Sequence, residues 1–141
     1  MSTEQNKAIV RRVFEEAVNQ GNLAVADDLL ASDYVNHNFP VPAPGPEGFK
    51  QVITMFRTAF PDIVVKLEDV IADGDRVSTR GHFAGTHRGD FMGIPATGKK
   101  VSVSYIDIWR LENGKARENW VQMDMLGMMQ QLGVVPGPGQ A

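Results

Sequence analysis

The chain has 141 residues, a formal net charge of −3 at pH 7 and no cysteine. That length suits one domain with a real core and is too short for two, and the lack of thiols excludes disulfides, zinc–thiolate centres and cysteine nucleophiles. A mildly acidic chain without a basic stripe is not built for nucleic acid, and no apolar run is long enough to cross a bilayer. The start, Met1-Ser-Thr-Glu-Gln-Asn-Lys7, lacks the basic-then-apolar pattern of a signal peptide, so a cytoplasmic protein is expected.

From about Thr3 to Asn19, Ile9, Val10, Val13, Phe14, Ala17 and Val18 recur at helical spacing, with Lys7, Arg11, Arg12, Glu15 and Glu16 on the opposite side. Gly21 ends this helix. A second runs from Asn22 to Leu30, with Asn22 as its cap. The stretch Asp33-Tyr-Val-Asn-His-Asn-Phe-Pro40 mixes aromatic, amide and imidazole groups, and if extended it sets Tyr34, Asn36 and Asn38 on one face. Four prolines and a glycine between Pro40 and Pro46 make a loop, either a plain connector or a lid. A third helix is predicted over Pro46–Phe60, where Phe49, Val52, Ile53, Phe56, Ala59 and Phe60 form a wide apolar stripe. Such a stripe is core, and here it also covers a pocket if one lies beneath.

The second half reads as β. Strands are predicted over Ile63–Ile71, Arg76–Ala84, Lys99–Leu111 and Lys115–Asp124. The first two join at Asp73-Gly74 and the last two at Asn113-Gly114, dipeptides that tolerate positive φ. Gly85–Gly98, with His87 and Phe91, reads as a structured loop. Met125–Leu132 is a short helix closed by Gly133, with Asp124 as its N-cap candidate. Residues 1–135 then form a single domain and 136–141 a flexible tail. Helices followed by an antiparallel meander indicate an α+β fold, a twisted sheet curling around the helices as a cone with an open mouth.

The return strand Lys115–Asp124 carries the densest chemistry. Alternation sets Glu118, Trp120, Gln122 and Asp124 on one face and Arg117, Asn119, Val121 and Met123 on the other. Carboxylates and an amide beside a large ring suit a ligand pocket; the alternative is a solvated outer strand. Register at Asn113-Gly114 decides which residues of the preceding strand join the first face. A two-residue loop brings Tyr105, Asp107 and Trp109. A three-residue loop brings Ile106, Ile108 and Arg110, with Arg110 placed to pair with Glu118. Val121 and Met123, on the sheet's other face, offer apolar area for a symmetric dimer.

The three histidines, His37, His82 and His87, lack metal-site spacing. Neither a Gly-x-Ser-x-Gly elbow nor a phosphate-cradling glycine loop is present. What survives is cofactor-independent carboxylate chemistry, which moves protons beside a carbonyl and wants an apolar cavity that tunes one carboxyl group.

Gly85-Thr-His-Arg-Gly-Asp-Phe-Met-Gly-Ile-Pro-Ala-Thr-Gly-Lys99 resembles the "GTHxGxFxGIPPTGK" loop of the SnoaL-like polyketide cyclase family. So does the hairpin Ile106–Trp120, followed by Asp124 and Gln130-Gln-Leu-Gly133. The resemblance runs from the first helix to Gly133. It implies the cone-shaped α+β barrel shared with nuclear transport factor 2 and ketosteroid isomerase, a pocket between the curved sheet and the helices, and assembly as a homodimer or homotetramer. It also implies an aspartate acid/base, matched by Asp124, for an intramolecular aldol condensation on an aromatic polyketide ester. The family's pocket asparagine is matched by Asn36, with Asn38 second. The strand Ser104–Arg110 departs from the family, whose cyclases place a histidine and a glutamine there.

On this reading Asp124 is the catalytic group. Asn36, Asn38, Phe56, His87, Phe91, Trp120 and Gln122 line a site for a hydrophobic carbonyl compound, with no cofactor, metal, nucleic acid or membrane involved. Two alternatives stand beside it: a non-catalytic small-molecule-binding protein on the same fold, and an epoxide hydrolase-like enzyme, which needs a carboxylate pair and an arginine around one water.

Overall fold

Ser2 opens the first helix by a reciprocal cap. Its hydroxyl accepts from the Gln5 backbone N–H at 3.1 Å, and Gln5 Oε1 accepts from the Ser2 N–H at 2.9 Å. Helix α1 (Thr3–Arg12) follows and continues over Val13–Asn19 as a π-helical segment, a wider winding that apolar periodicity does not signal. These contacts come from a computed structural model that describes residues 2–39 and 41–136. Apart from Pro136, the tail expected at 136–141 lies outside the described residues.

Helix α2 (Val25–Leu29) is shorter than predicted. Asn22 is not its cap: the Asn22 N–H donates back to Glu16 O at 2.9 Å, so the residue closes the preceding helix. The chain then extends directly into β1 (Leu30–Asn36), which the mixed composition of this stretch did not reveal. Helix α3 (Gly45–Ala59) has Pro46 in its first turn. Strands β2 (Val64–Asp73), β3 (Arg76–Thr86), β4 (Lys100–Glu112) and β5 (Lys115–Met123) follow, and then α4 (Met125–Leu132).

The sheet order is β1-β5-β4-β3-β2. The last four strands pair antiparallel as predicted, while β1 adds to β5 in parallel. The sheet is mixed and unclosed, and its inner side curls around the helices. One core cluster joins Val10, Val13 and Ala17 to Tyr34, Val77 and Trp109. A second joins Phe56 and Phe60 of the α3 end to Phe83, Phe91, Val103, Met128 and Leu132. Among the described residues, no helix is long and apolar enough to cross a membrane.

The β4–β5 hairpin combines features of both predicted registers. Its turn is the two-residue form, with Glu112 opposite Lys115 and both Asn113 (φ 52°) and Gly114 (φ 78°) left-handed. A bulge then absorbs Arg117, so that Arg110 faces Glu118, Ile108 faces Trp120 and Ile106 faces Gln122. The set that faces the helices is Tyr105, Asp107, Trp109, Asn119, Val121 and Met123, the opposite of the assignment made from β5 alone. The reason is hydrophobic. The inward side of β4 also carries Val101, Val103 and Leu111, all buried, whereas its other side carries Ser102, Ser104, Arg110 and Glu112, which tolerate water, around the exposed Ile106 and Ile108.

Candidate active site

Between the inner face of the sheet and the helices lies a cavity of about 120 Å³. Val13, Phe14 and Val18 of the π-helical segment form one side, and Phe49, Val52, Ile53 and Phe56 of α3 form another. Phe39 and Val41, from the loop after β1, complete the walls. Against this apolar lining stand a few polar groups: Tyr34 and Asn36 on β1, Tyr105 and Asp107 on β4, Trp109 N–H, and Asn119 on β5. Among the described residues, Asp107 is the one carboxylate in the lining, and the lining has no lysine, arginine or histidine.

Asp107 is 3% exposed and fully engaged. Its Oδ1 accepts from the Thr79 hydroxyl at 2.5 Å and from the Thr79 backbone N–H at 3.2 Å, and its Oδ2 accepts from Trp109 Nε1–H at 2.8 Å. These donors favour the anion, but burial opposes it more strongly, and the pKa is pushed up to about 6. Burial likewise raises the Tyr34 and Tyr105 phenols above the ordinary tyrosine range, so both stay O–H donors. A carboxyl group balanced near neutrality, with neutral hydroxyl and amide groups around it in an apolar chamber, is equipped to take a proton from a carbon acid and return it.

Asn36 connects the wall to the loop. Its Oδ1 accepts from the Asn38 and Phe39 backbone N–H groups at 3.1 and 3.2 Å, and its Nδ2 donates to Asn119 Oδ1 at 3.4 Å. Asn119 in turn donates to Ile108 O at 3.1 Å. The two amides are thereby held at the wall that Asp107 shares.

The structure disperses the residues singled out from sequence. Asn36 and Phe56 line the cavity. Asn38 does not; it contributes its backbone to the Asn36 turn. Phe91 is fully buried behind Phe56, with ring centroids 5.2 Å apart, and belongs to the second core cluster. His87 is also outside the lining: its ring is buried against Phe60, and its Nδ1 accepts from Thr97 N–H at 3.2 Å. Trp120 and Gln122 point away from the helices because the β5 side chains alternate and Asn119, Val121 and Met123 take the inner side. Trp120 stacks on His37 at 4.8 Å, with the Arg76 guanidinium 5.2 Å from its ring centre, and Arg110 pairs with Glu118 beside them. Gln122 borders a shallow outer groove with Glu68, Arg80, His82 and Asp124.

Asp124 therefore stands outside the cavity. It caps α4, its Oδ1 accepting from Gly127 N–H at 2.8 Å, and it is exposed. The cap candidate seen in sequence is real; the cavity position that a catalytic Asp124 requires is not what the structure provides. Sequence reasoning also passed over Tyr34, Thr79, Trp109 and Asn119 as a set. The available signal was Asp107 itself, an acidic residue on the alternating face Val101, Val103, Tyr105, Trp109 and Leu111 that is otherwise uncharged.

Comparison with known proteins agrees with this architecture. A family model described as SnoaL-like polyketide cyclase matches residues 8–132. The aklanonic acid methyl ester cyclase of Streptomyces peucetius is 32% identical over 140 residues, spanning 94% of this chain and 92% of that protein. The nogalonic acid methyl ester cyclase of Streptomyces nogalater is 28% identical over 129 residues, spanning 83% of this chain and 90% of that protein. The solved structure of TsrD from Streptomyces laurentii superposes with a TM-score of 0.88 at 30% identity, covering 96% of this chain and 99% of that one. With an unclosed curved sheet, an inner cavity between sheet and helices and matches along nearly its whole length, the chain belongs to the SnoaL-like polyketide cyclase family.

Proposed function

We propose that the protein is an acid–base enzyme acting on a neutral, hydrophobic carbonyl compound, with Asp107 as the base and its conjugate acid. One observation carries this: a single buried carboxylate, with its pKa raised to about 6, in a cavity otherwise walled by apolar and aromatic side chains. Ionised at neutral pH, Asp107 takes a proton from the carbon beside a carbonyl. Tyr34, Tyr105 and the Asn36–Asn119 amide pair are the groups placed to donate to the carbonyl oxygen as it gains charge. The enolate then attacks a second carbonyl of the same molecule, a cyclase-like ring closure supported by the names of the relatives. Epoxide opening by a carboxylate pair and an arginine is disfavoured, because the lining offers one carboxylate and no arginine among the described residues.

The test is hydrogen–deuterium exchange at the α-carbon of an aromatic ketone, 2-tetralone, in D₂O. Exchange above the buffer rate is expected, rising with pH through a midpoint near 6 as Asp107 loses its proton. Binding of the ketone with no exchange above buffer would place the protein with non-catalytic binding proteins instead.

We also propose a homodimer formed through the outer face of the sheet. Val121 and Met123, first assigned to that face, line the cavity and cannot serve. Ile106 and Ile108, 53% and 42% exposed, supply the apolar area beside Trp120. Light scattering at micromolar concentration should give twice the 15.5 kDa chain mass, and Ile108→Glu should give a monomer. A monomeric wild-type protein contradicts the assembly.

A further inference from the structure

Thr79 is 1% exposed, sits on β3 and lies outside the cavity lining. Its hydroxyl nevertheless touches two proton-bearing groups that line the cavity. Thr79 Oγ1 lies 2.5 Å from Asp107 Oδ1 and 3.0 Å from Tyr105 Oη. A threonine hydroxyl has one proton and two acceptor lone pairs. With Asp107 ionised, Thr79 must donate to Oδ1, and Tyr105 therefore donates to Thr79. With Asp107 protonated on Oδ1, every bond in the chain reverses: Asp107 donates to Thr79, and Thr79 donates to Tyr105. On the other side, Trp109 Nε1–H is only a donor and holds Oδ2 in place in both states.

We propose that Thr79 joins Asp107 and Tyr105 into a single proton relay, through which a proton taken by Asp107 at one substrate atom is matched by a proton delivered from the Tyr105 hydroxyl at another. This deepens the acid–base reading above and rests on it. The step balances without a further reactant. The substrate C–H proton passes to Asp107 Oδ1, the C–H electron pair becomes the C=C bond of the enolate, and the C=O π pair moves onto the carbonyl oxygen. Tyr105 gives its proton to that oxygen, and the phenolate is refilled by Thr79. Thr79 is refilled in turn by Asp107, which returns to the anion. Net, one proton moves from carbon to oxygen and the protein ends as it began. The titratable groups around Asp107 are Tyr105 on its own strand and Tyr34 on β1, with no cationic side chain in the lining among the described residues.

The relay is tested apart from turnover by ¹³C-carboxyl NMR of protein labelled at aspartate, with the Asp107 signal assigned by its loss in Asp107→Asn. In the wild type its titration midpoint should lie near 6. Thr79→Val removes the donor to the anion and should raise the midpoint by about one pH unit. Thr79→Ser restores the hydroxyl and should return it to the wild-type value. Tyr105→Phe, which touches Asp107 only through Thr79, should shift it in the same direction by less. Thermal melts accompany each variant, and Thr79→Ser and Tyr105→Phe retain the bulk of the side chains they replace. Equal shifts in Thr79→Val and Thr79→Ser would show a packing effect and overturn the relay, as would no shift in either. For 2-tetralone exchange, Tyr105→Phe and Thr79→Val should lower the rate to the same level, and the double variant should lower it no further, because both break one path. A wild-type protein that exchanges no ketone while the midpoints shift as stated would refute the acid–base reading and leave the coupled triad standing.

Discussion

Asp107→Asn should resist denaturant better than the wild type at pH 8 and lose that advantage at pH 4. The sign follows from burial. The folded state holds the Asp107 proton up to about pH 6, whereas an unfolded aspartate releases it near its usual value of about 3.9. Preferential protonation of the folded chain adds stability below the unfolded pKa, and this is lost as pH rises through the folded one. Two units of difference correspond to roughly 3 kcal/mol. At pH 8 the wild type therefore carries a buried anion at that cost, and the neutral amide does not. The background runs the other way: Glu118, held down first by Arg110 and then by His37, and Asp62, held down by Thr86, favour the folded state as pH rises. The comparison of variant with wild type across pH removes this background. A stability difference that does not change between pH 4 and pH 8 contradicts a raised Asp107 pKa.

Gly48→Ala should destabilise the protein although it lies inside α3. In an exposed helix the exchange adds about 1 kcal/mol of stability. Here a Cβ would lie 1.8 Å from Ala43 O and 2.3 Å from Val41 Cγ1, so the 41–44 loop must lift off the helix. Overpacking of this kind costs about 1–3 kcal/mol, more than the helical gain at the upper end of that range. Because Val41 lines the cavity, the lifted loop also loosens one wall of the site. A melting temperature lower by several degrees is expected. A variant that melts at or above the wild-type temperature would show that the loop does not pack against α3 as described.

How far the fold could be read from sequence depended on how local each signal was. Asn113-Gly114 marked its turn because both residues take positive φ, and Asp124 followed by an apolar helix and Gly133 marked a cap and a stop. Strand β1 escaped because its partner, β5, lies some eighty positions away and pairs in parallel, which leaves no local pattern. The inner face of β5 is hidden for a smaller reason. A bulge at Arg117 lies between the turn and the rest of β5, and nothing in Lys115-Ala-Arg-Glu announces it. The polar residues of β5 suggest a pocket, yet Glu118 and Trp120 meet Arg110, His37 and Arg76 on the outer face, where Gln122 is exposed. The apolar alternation of β4 was the better guide. A lone aspartate on the face that must be buried signals a tuned group more strongly than several polar residues on a face that can be wet.

In the proposed mechanism, chemistry resides at Asp107 inside the cavity and not at Asp124 on the helix cap. The most direct measurement is the α-proton exchange rate of 2-tetralone with Asp107→Asn and Asp124→Asn side by side. Asparagine caps helices about as well as aspartate, so Asp124→Asn should change stability by less than ~1 kcal/mol and leave exchange nearly intact. Asp107→Asn keeps the shape of the site but removes the base, and exchange should fall by a factor on the order of 100 or more. An active Asp107→Asn beside an inactive, normally folded Asp124→Asn would contradict the account and return the acid–base role to the cap.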